Sequence, residues 1–342
     1  MINEKLNKVQ QLAFSLIQSD AIFINSMLKI DFEAKNLKNN YICMLFPYLG
    51  IFAYGSELWG QKVGIATPVF NSQEKKYYTE LRQAHKIFAL SYNEFRVKMN
   101  RKLNESDLYF KNNKSLLSKI MGLYYNVGID VFEKKCYGNT VLIGLYIPSY
   151  KIGENTEYIR DLSIVMGKLA KSYMPQNKSN IYKYNKNLTT KSIDINFFES
   201  KMFFDNSIDN LCCFSVLCAI NFIVYFIENI FEEEIPQKLK YSYLLYFYLC
   251  RFVENINNEI GSNYIIDDTL CNQSFRNCIA HYGLGQVMKD DDIISGDLLG
   301  GLTNKIFNMN YYEVKDFICQ ELKKLGKQIE ENIFLKDDDV ND

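Results

Sequence analysis

The chain has 342 residues, 48% of them hydrophobic, with 25 Tyr, 24 Phe and only 5 Pro. That is length enough for two domains or one large one, and apolar content enough for a proper core, which excludes a disordered or linker-rich protein. The formal net charge of -1 excludes a broad positive field, so a polyanion site must be a local patch.

The N-terminal Met1-Ile2-Asn3-Glu4-Lys5 has no basic segment followed by a short apolar core, so no secretory signal is expected. Helices are predicted at about 3–18 and 20–30. Lys62-Val63-Gly64-Ile65-Ala66 ahead of Thr67-Pro68 reads as a short strand stopped by proline. Residues 74–101 read as one long helix, with Tyr77, Leu81, Ala84, Phe88 and Leu90 near a 3.6 period. Its His85 follows Arg82 by three positions and reads as an ordinary packed or surface residue. Residues 127–147 suggest a hairpin: Val127, Ile129 and Val131 alternate, Gly138-Asn139 offer the turn, and Thr140 to Ile147 form the return strand. A helix follows near 155–174, with Tyr158, Leu162, Val165 and Leu169 on one face.

Pro175 to Lys191 is rich in Asn, Lys, Ser and Thr and reads as a solvated linker. Its Lys178, Lys183, Lys186 and Lys191 interleave with Tyr182 and Tyr184, which also makes Lys183 and Lys186 candidate RNA contacts. From about 202 onward the pattern simplifies to four helices. The first, about 205–231, is apolar almost all round. Its core, Leu211 to Ile227, lies at the lower length limit for a bilayer and carries Ser215 and Asn221, so a buried central helix is expected and no membrane. The second starts at Pro236 and stops at Gly261. The third starts near Asp267/Asp268 as N-caps and ends at Gly283. The fourth is signed by Asn310 and Glu313 as a capping pair, with Val314, Phe317, Ile318, Leu322, Leu325 and Ile329 as its buried stripe. The fold class is therefore mainly α, with an N-terminal α+β region at 1–195 containing a small β-hairpin, a helical bundle at 200–335 and an acidic tail at 336–342.

The nine cysteines show no zinc-site spacing and read as reduced, buried thiols of a cytoplasmic protein. Trp59, the only tryptophan, reads as a loop anchor in the core. Asp290-Asp291-Asp292 read as a solvated loop rather than a metal site, and no metal or cofactor is expected.

The most specific segment is Arg276-Asn277-Cys278-Ile279-Ala280-His281 on the third helix, which carries one of only two histidines. At about 100° per residue, Arg276 and His281 sit roughly 140° apart, while Asn277 and His281 share a face. Arg276 can hold two phosphate oxygens. His281 lies in the last turn, where unpaired carbonyls favour the imidazolium and hence a general acid. Asn277 can fix the imidazole tautomer or bond a ribose. RNA supplies its own 2′-OH nucleophile, so cleavage would need no metal and would yield a 2′,3′-cyclic phosphate and a 5′-OH. Two copies across a two-fold axis would place two arginines and two histidines around one phosphate.

This arrangement resembles the HEPN superfamily, helical bundles whose ribonuclease branch carries Arg, four to six residues, then His. The resemblance covers about 202–335 and implies an HEPN-like four-helix bundle there. It also implies a composite, metal-independent RNase site at a homodimer interface. Arg276 and His281 would be catalytic, Asn277 supporting, and Tyr282 the aromatic that follows the histidine and faces RNA. Similar ribonucleases act as toxins, abortive-infection proteins and CRISPR effectors, which implies a bacterial defence role. The chain has a single motif copy and no recognisable nucleotide-sensing domain in its first 200 residues, so the activating ligand or protein is not specified. The alternative function is a non-catalytic HEPN-like module binding a protein or nucleotide partner.

Overall fold

Helix α1 (Lys8–Glu33) starts at Asn7, whose side chain accepts the Gln10 amide while Gln10 bonds back, a reciprocal cap. The computed structural model describes residues 6–34, 37, 41–65, 68–121, 123–147, 157–174 and 181–335. The two helices expected between 3 and 30 are this one: the segment has no Gly or Pro to break it, and Asp20 is buried within it. After α2 (Tyr41–Met44), α3 (Phe46–Val63) begins with Pro47 in its first turn and ends at Gly64 with φ 74°. Lys62 and Val63 are thus the end of a helix and not a strand, and Gly64 supplies the left-handed cap; Ala66 and Thr67 lie outside the described residues.

The long helix expected at 74–101 is broken. α4 (Ser72–Gln83) runs into a tighter 3₁₀ turn, Ala84–Ala89, and α5 (Tyr92–Asn112) starts afresh at Ser91, capped reciprocally with Glu94. The capping pair outweighs the apolar period, because satisfying two backbone amides at Ser91 favours a new start. α6 (Leu116–Ile120) precedes the sheet. β1 (Val127–Phe132) pairs antiparallel with β2 (Lys135–Asn139), and the turn is Glu133-Lys134, with φ 45° and 65°. The hairpin therefore exists, but Gly138-Asn139 belong to its return strand. Asn139 instead caps α7 (Thr140–Tyr146), accepting the Leu142 amide at 2.9 Å, so the expected strand 140–147 is helical. α8 (Glu157–Tyr173) follows. β3 (Thr190–Ile195) completes a sheet of order β2-β1-β3; the expected linker thus ends in a strand, which takes in its Thr190 and Lys191. Pro175 to Asn180 and the tail 336–342 lie outside the described residues.

In the second half, α9 (Ile208–Asn221) continues through a π-helical stretch, Phe222–Ile227, into α10 (Glu228–Ile230). Among the described residues this run is the one helix long and apolar enough to cross a membrane, and 83% of its apolar window is buried inside the protein. α11 (Pro236–Ile260) ends at Gly261 with φ 69°, as the sequence predicts. α12 (Gln273–His281) starts later than expected. Asn272 is its cap, accepting the Phe275 amide at 3.0 Å, while the carboxylate of Asp267 closes a turn onto Thr269. Its end is the left-handed Tyr282, φ 56°, one residue ahead of Gly283. α13 (Gly300–Phe307) is an additional helix, and α14 (Tyr311–Ile333) starts at the expected Asn310/Glu313 cap. The C-terminal part is thus a cluster of α11 to α14 packed with the α9–α10 run.

One hydrophobic core includes residues of both halves. Two close crossings on α3 set the later geometry. A Cβ on Gly55 would fall 2.2 Å from the Ala280 carbonyl oxygen, and one on Gly50 would fall 2.5 Å from that of Leu81. Glycine at both positions lets α12 and the α4 end touch α3 backbone to backbone. Trp59 lies buried within α3, stacked on Phe14 at 5.9 Å. All nine cysteines are free thiols; Cys136, Cys250 and Cys319 are half-buried and Cys271 is exposed, so five of the nine are buried as expected.

Candidate functional site

α12 is hung on α11 at its start. The Asn272 amide donates to the Tyr243 hydroxyl at 2.9 Å, and that hydroxyl donates to the Leu270 carbonyl at 2.8 Å. One turn on, Arg276 bends across the helix. Its Nε donates to the Tyr248 hydroxyl at 3.0 Å, Nη2 donates to the same oxygen, and Nη1 donates to Asn277 Oδ1 at 3.0 Å. Nη1 also lies 3.4 Å from His281 Nε2. A guanidinium has no acceptor, so a bond here uses the Nε2 lone pair, which places the neutral ring's proton on Nδ1. Asn277 also accepts from Gln273 Nε2 at 2.8 Å; it positions Arg276 and not the imidazole tautomer.

The second histidine joins this group. The Tyr54 ring, on α3, meets His281 edge-on at 5.6 Å and 78°, and stacks on His85 at 5.4 Å and 21°. Arg82 Cζ lies 5.1 Å from the Tyr54 ring centre, with Nε 3.0 Å from Glu57 Oε2. Phe88, on the same 3₁₀ turn as His85, stacks on Tyr248 at 5.1 Å and 14°. Tyr54, Arg82, His85, Tyr248, Arg276, Asn277 and His281 are all half-buried, placing them at the protein surface without full solvation.

Burial, then the charges of Arg276, His85, Lys240 and Lys62, push the His281 pKa from 6.5 down to about 4. His85 is lowered too, chiefly by burial, with a backbone hydrogen bond at Arg82 opposing it and the charges of Arg276, Lys86 and Arg82 adding to it. The expected imidazolium at the helix end is therefore corrected. A helix terminus contributes ~0.3–1 kcal/mol, less than one pKa unit, and desolvation among cations outweighs it. At neutral pH His281 is a neutral base. Its Nδ1 is buried and has no hydrogen-bond partner among the described residues.

Tyr282, expected to face RNA, is fully buried. Its hydroxyl donates to Asp20 Oδ2 at 2.5 Å, and Lys240, itself paired with Asp20, donates to the Tyr282 hydroxyl at 3.1 Å. Gln237 Nε2 donates to Asp20 Oδ1 at 2.8 Å. This buried network fixes the turn after His281. Lys183 and Lys186 are exposed, but the bonds of their loop run elsewhere. Tyr182 is tied to Ser19 and Ser26, Tyr184 to Glu33, and Asn185 to Ile230. Lys178 lies outside the described residues. Asp290–Asp292 form a 3₁₀ turn in which Asp290 and Asp291 are exposed and the half-buried Asp292 is bonded to Lys305. Among the described residues no three His, Cys, Asp or Glu side chains group as a metal site.

Sequence reasoning brought Arg276, Asn277 and His281 together but missed Tyr54, Arg82, His85 and Tyr248. The Arg82/His85 spacing was the one available signal. The chain matches no protein-family model, no curated protein and no solved structure, so the functional reading rests on the residues themselves.

Proposed function

We propose that the chain is a metal-independent endoribonuclease whose Arg276 and His281 act on the RNA backbone, with Asn277 as a positioning residue. The observation that carries this is the 3.4 Å approach of Arg276 Nη1 to His281 Nε2. A cation for the phosphate and a neutral base for the 2′-OH share one surface spot. As Arg276 Nη1 turns from His281 Nε2 to the phosphate, Nε2 takes the 2′-OH proton, the 2′ oxygen bonds to phosphorus, and the bond to the 5′ oxygen breaks as that oxygen is protonated. This leaves a 2′,3′-cyclic phosphate and a 5′-OH. The substrate carries the nucleophile, so no activated water is needed. We read the α11 to α14 cluster with the α9–α10 run as the HEPN-like bundle. The wider proposal is a cytoplasmic RNA-cleaving effector of bacterial defence, resting on that resemblance alone.

A non-catalytic interaction module is favoured by one observation: Arg276 is already engaged by Tyr248 and Asn277. Cleavage separates the two. Purified protein is incubated with total RNA in excess EDTA, beside the Arg276→Ala/His281→Ala double variant. Fragments ending in cyclic phosphate, made by wild type only, support the enzyme. Binding without turnover supports the module, and activity restored only by a divalent ion sinks the metal-independent mechanism.

A further inference from the structure

Resting on the ribonuclease reading above, we infer that Arg82 and His85 are the second half of the same site, with His85 protonating the departing 5′ oxygen. The cleavage step needs one proton removed and one supplied, and a single histidine beside a single arginine supplies only half of that.

The placement is specific. The chain has only two histidines, and both rings lie against one phenol, Tyr54, at 5.4 and 5.6 Å. Each stands beside an arginine: Arg276 reaches the His281 ring, and Arg82 lies over the Tyr54 ring on which His85 stacks. The halves are joined a second time, because Phe88 of the His85 turn stacks on the Tyr248 that holds Arg276. The backbone is cut to allow it. Gly50 admits the Leu81–His85 segment against α3, where a Cβ would lie 2.5 Å from Leu81 O and 3.1 Å from His85 N. Gly55 admits α12, where a Cβ would lie 2.2 Å from Ala280 O. Tyr54 sits between these two glycines on α3.

The chemistry then balances within one chain. His281 Nε2 takes the proton from the 2′-OH, and the new bond from O2′ to phosphorus forms as the bond to O5′ breaks. Protonated His85 gives its proton to O5′, and solvent returns both rings to their starting state. Arg276 and Arg82 would meet the phosphate charge, and Glu57 is paired with Arg82. An anionic phosphodiester beside the rings favours the imidazolium that His85 must become. On this inference one chain supplies the two arginines and two histidines that the resemblance expects from two copies.

The test uses two RNA dinucleotides, one with the ordinary 5′ oxygen and one with a bridging 5′ sulfur, whose thiolate leaves without a proton. His85→Ala is expected to lose about 10²–10⁴-fold on the oxygen substrate and to recover most of it on sulfur. His281→Ala stays impaired on both. Should His85→Ala melt early, His85→Gln keeps the bulk and is read in its place. Activity per chain is expected to hold on dilution to the monomer. His85 variants that match wild type, or that lose equally on both substrates, overturn the inference while leaving the ribonuclease reading standing, as does activity that falls with dimer dissociation. A wild type that cleaves neither substrate removes both.

Discussion

Arg276 Nη1 lies 3.4 Å from His281 Nε2, although the two residues project about 140° apart around α12. The Tyr248 hydroxyl and Asn277 Oδ1 account for it, since together they fold the guanidinium over the helix end. The arginine is thus ordered by the chain itself, and on the ribonuclease proposal it would be preorganised for a phosphate.

That relationship makes Tyr248 a positioning residue. Tyr248→Phe removes the acceptor of two guanidinium hydrogen bonds; one bond to a charged group is worth about 1.5–3 kcal/mol, or roughly 10- to 150-fold in an equilibrium. RNA cleavage is expected to weaken mainly through KM, because the guanidinium must then be ordered by the substrate. Arg276→Lys is expected to be inactive, since an ammonium cannot span Tyr248, Asn277 and a phosphate at once. Steady-state kinetics on one oligonucleotide decide this. An unchanged KM in Tyr248→Phe removes the positioning role, and an active Arg276→Lys removes the need for the fork.

Stability should depend on pH through His281. In the fold its pKa is about 4 against 6.5 in the free imidazole, by burial and then by Arg276, His85, Lys240 and Lys62. Between those values the unfolded chain binds the extra proton. Stability from this group is therefore fully present above pH 6.5 and is lost as pH falls towards 4. The ring is partly solvated, so the loss is on the order of 1 kcal/mol after screening. Urea melts at pH 7 and pH 5 are expected to differ less in His281→Gln than in wild type. An equal difference in both places the acid sensitivity in other groups.

How much of this was legible follows from the range of each interaction. The α14 start was readable because Asn310 and Glu313 satisfy each other three residues apart, and α11 because Pro236 and Gly261 are local punctuation. The hairpin turn was misplaced because Gly138-Asn139 look like a turn, whereas Glu133-Lys134 adopt the positive φ angles and Asn139 caps α7. The break at Ser91 was written in Ser91/Glu94 but masked by the apolar period. Arg276 and His281 share one short helix and could be found. Tyr54 and His85 reach them only through tertiary crossings at Gly50 and Gly55, which no local pattern encodes.

Gly55→Ala tests those crossings. The added Cβ would lie 2.2 Å from the Ala280 carbonyl oxygen and 3.0 Å from Tyr282. Neither backbone can yield cheaply, so α12 must move away from α3. A loss of about 1–3 kcal/mol is expected, with cleavage falling because His281 follows Ala280. Gly167→Ala is the control. Its Cβ meets only Leu28 at 3.6 Å inside α8, and it should gain about 0.5–1 kcal/mol from helix propensity. Thermal melts that rank the two the other way would place α12 elsewhere.

Tyr282 separates structural support from RNA contact. Its hydroxyl is enclosed with Asp20, Lys240 and Gln237, so it cannot stack a base without unfolding the turn. Tyr282→Phe removes two hydrogen bonds to charged groups, one to Asp20 and one from Lys240, and should cost at least about 1.5–3 kcal/mol while leaving KM for RNA unchanged. Asp20→Ala leaves Lys240 charged and buried without its carboxylate. About 3–5 kcal/mol is then lost, and the turn that carries His281 loosens with it. Denaturant melts give the first quantity and KM the second. A Tyr282→Phe protein of normal stability whose KM rises would mean that the ring reaches RNA, and that the buried network opens when substrate binds.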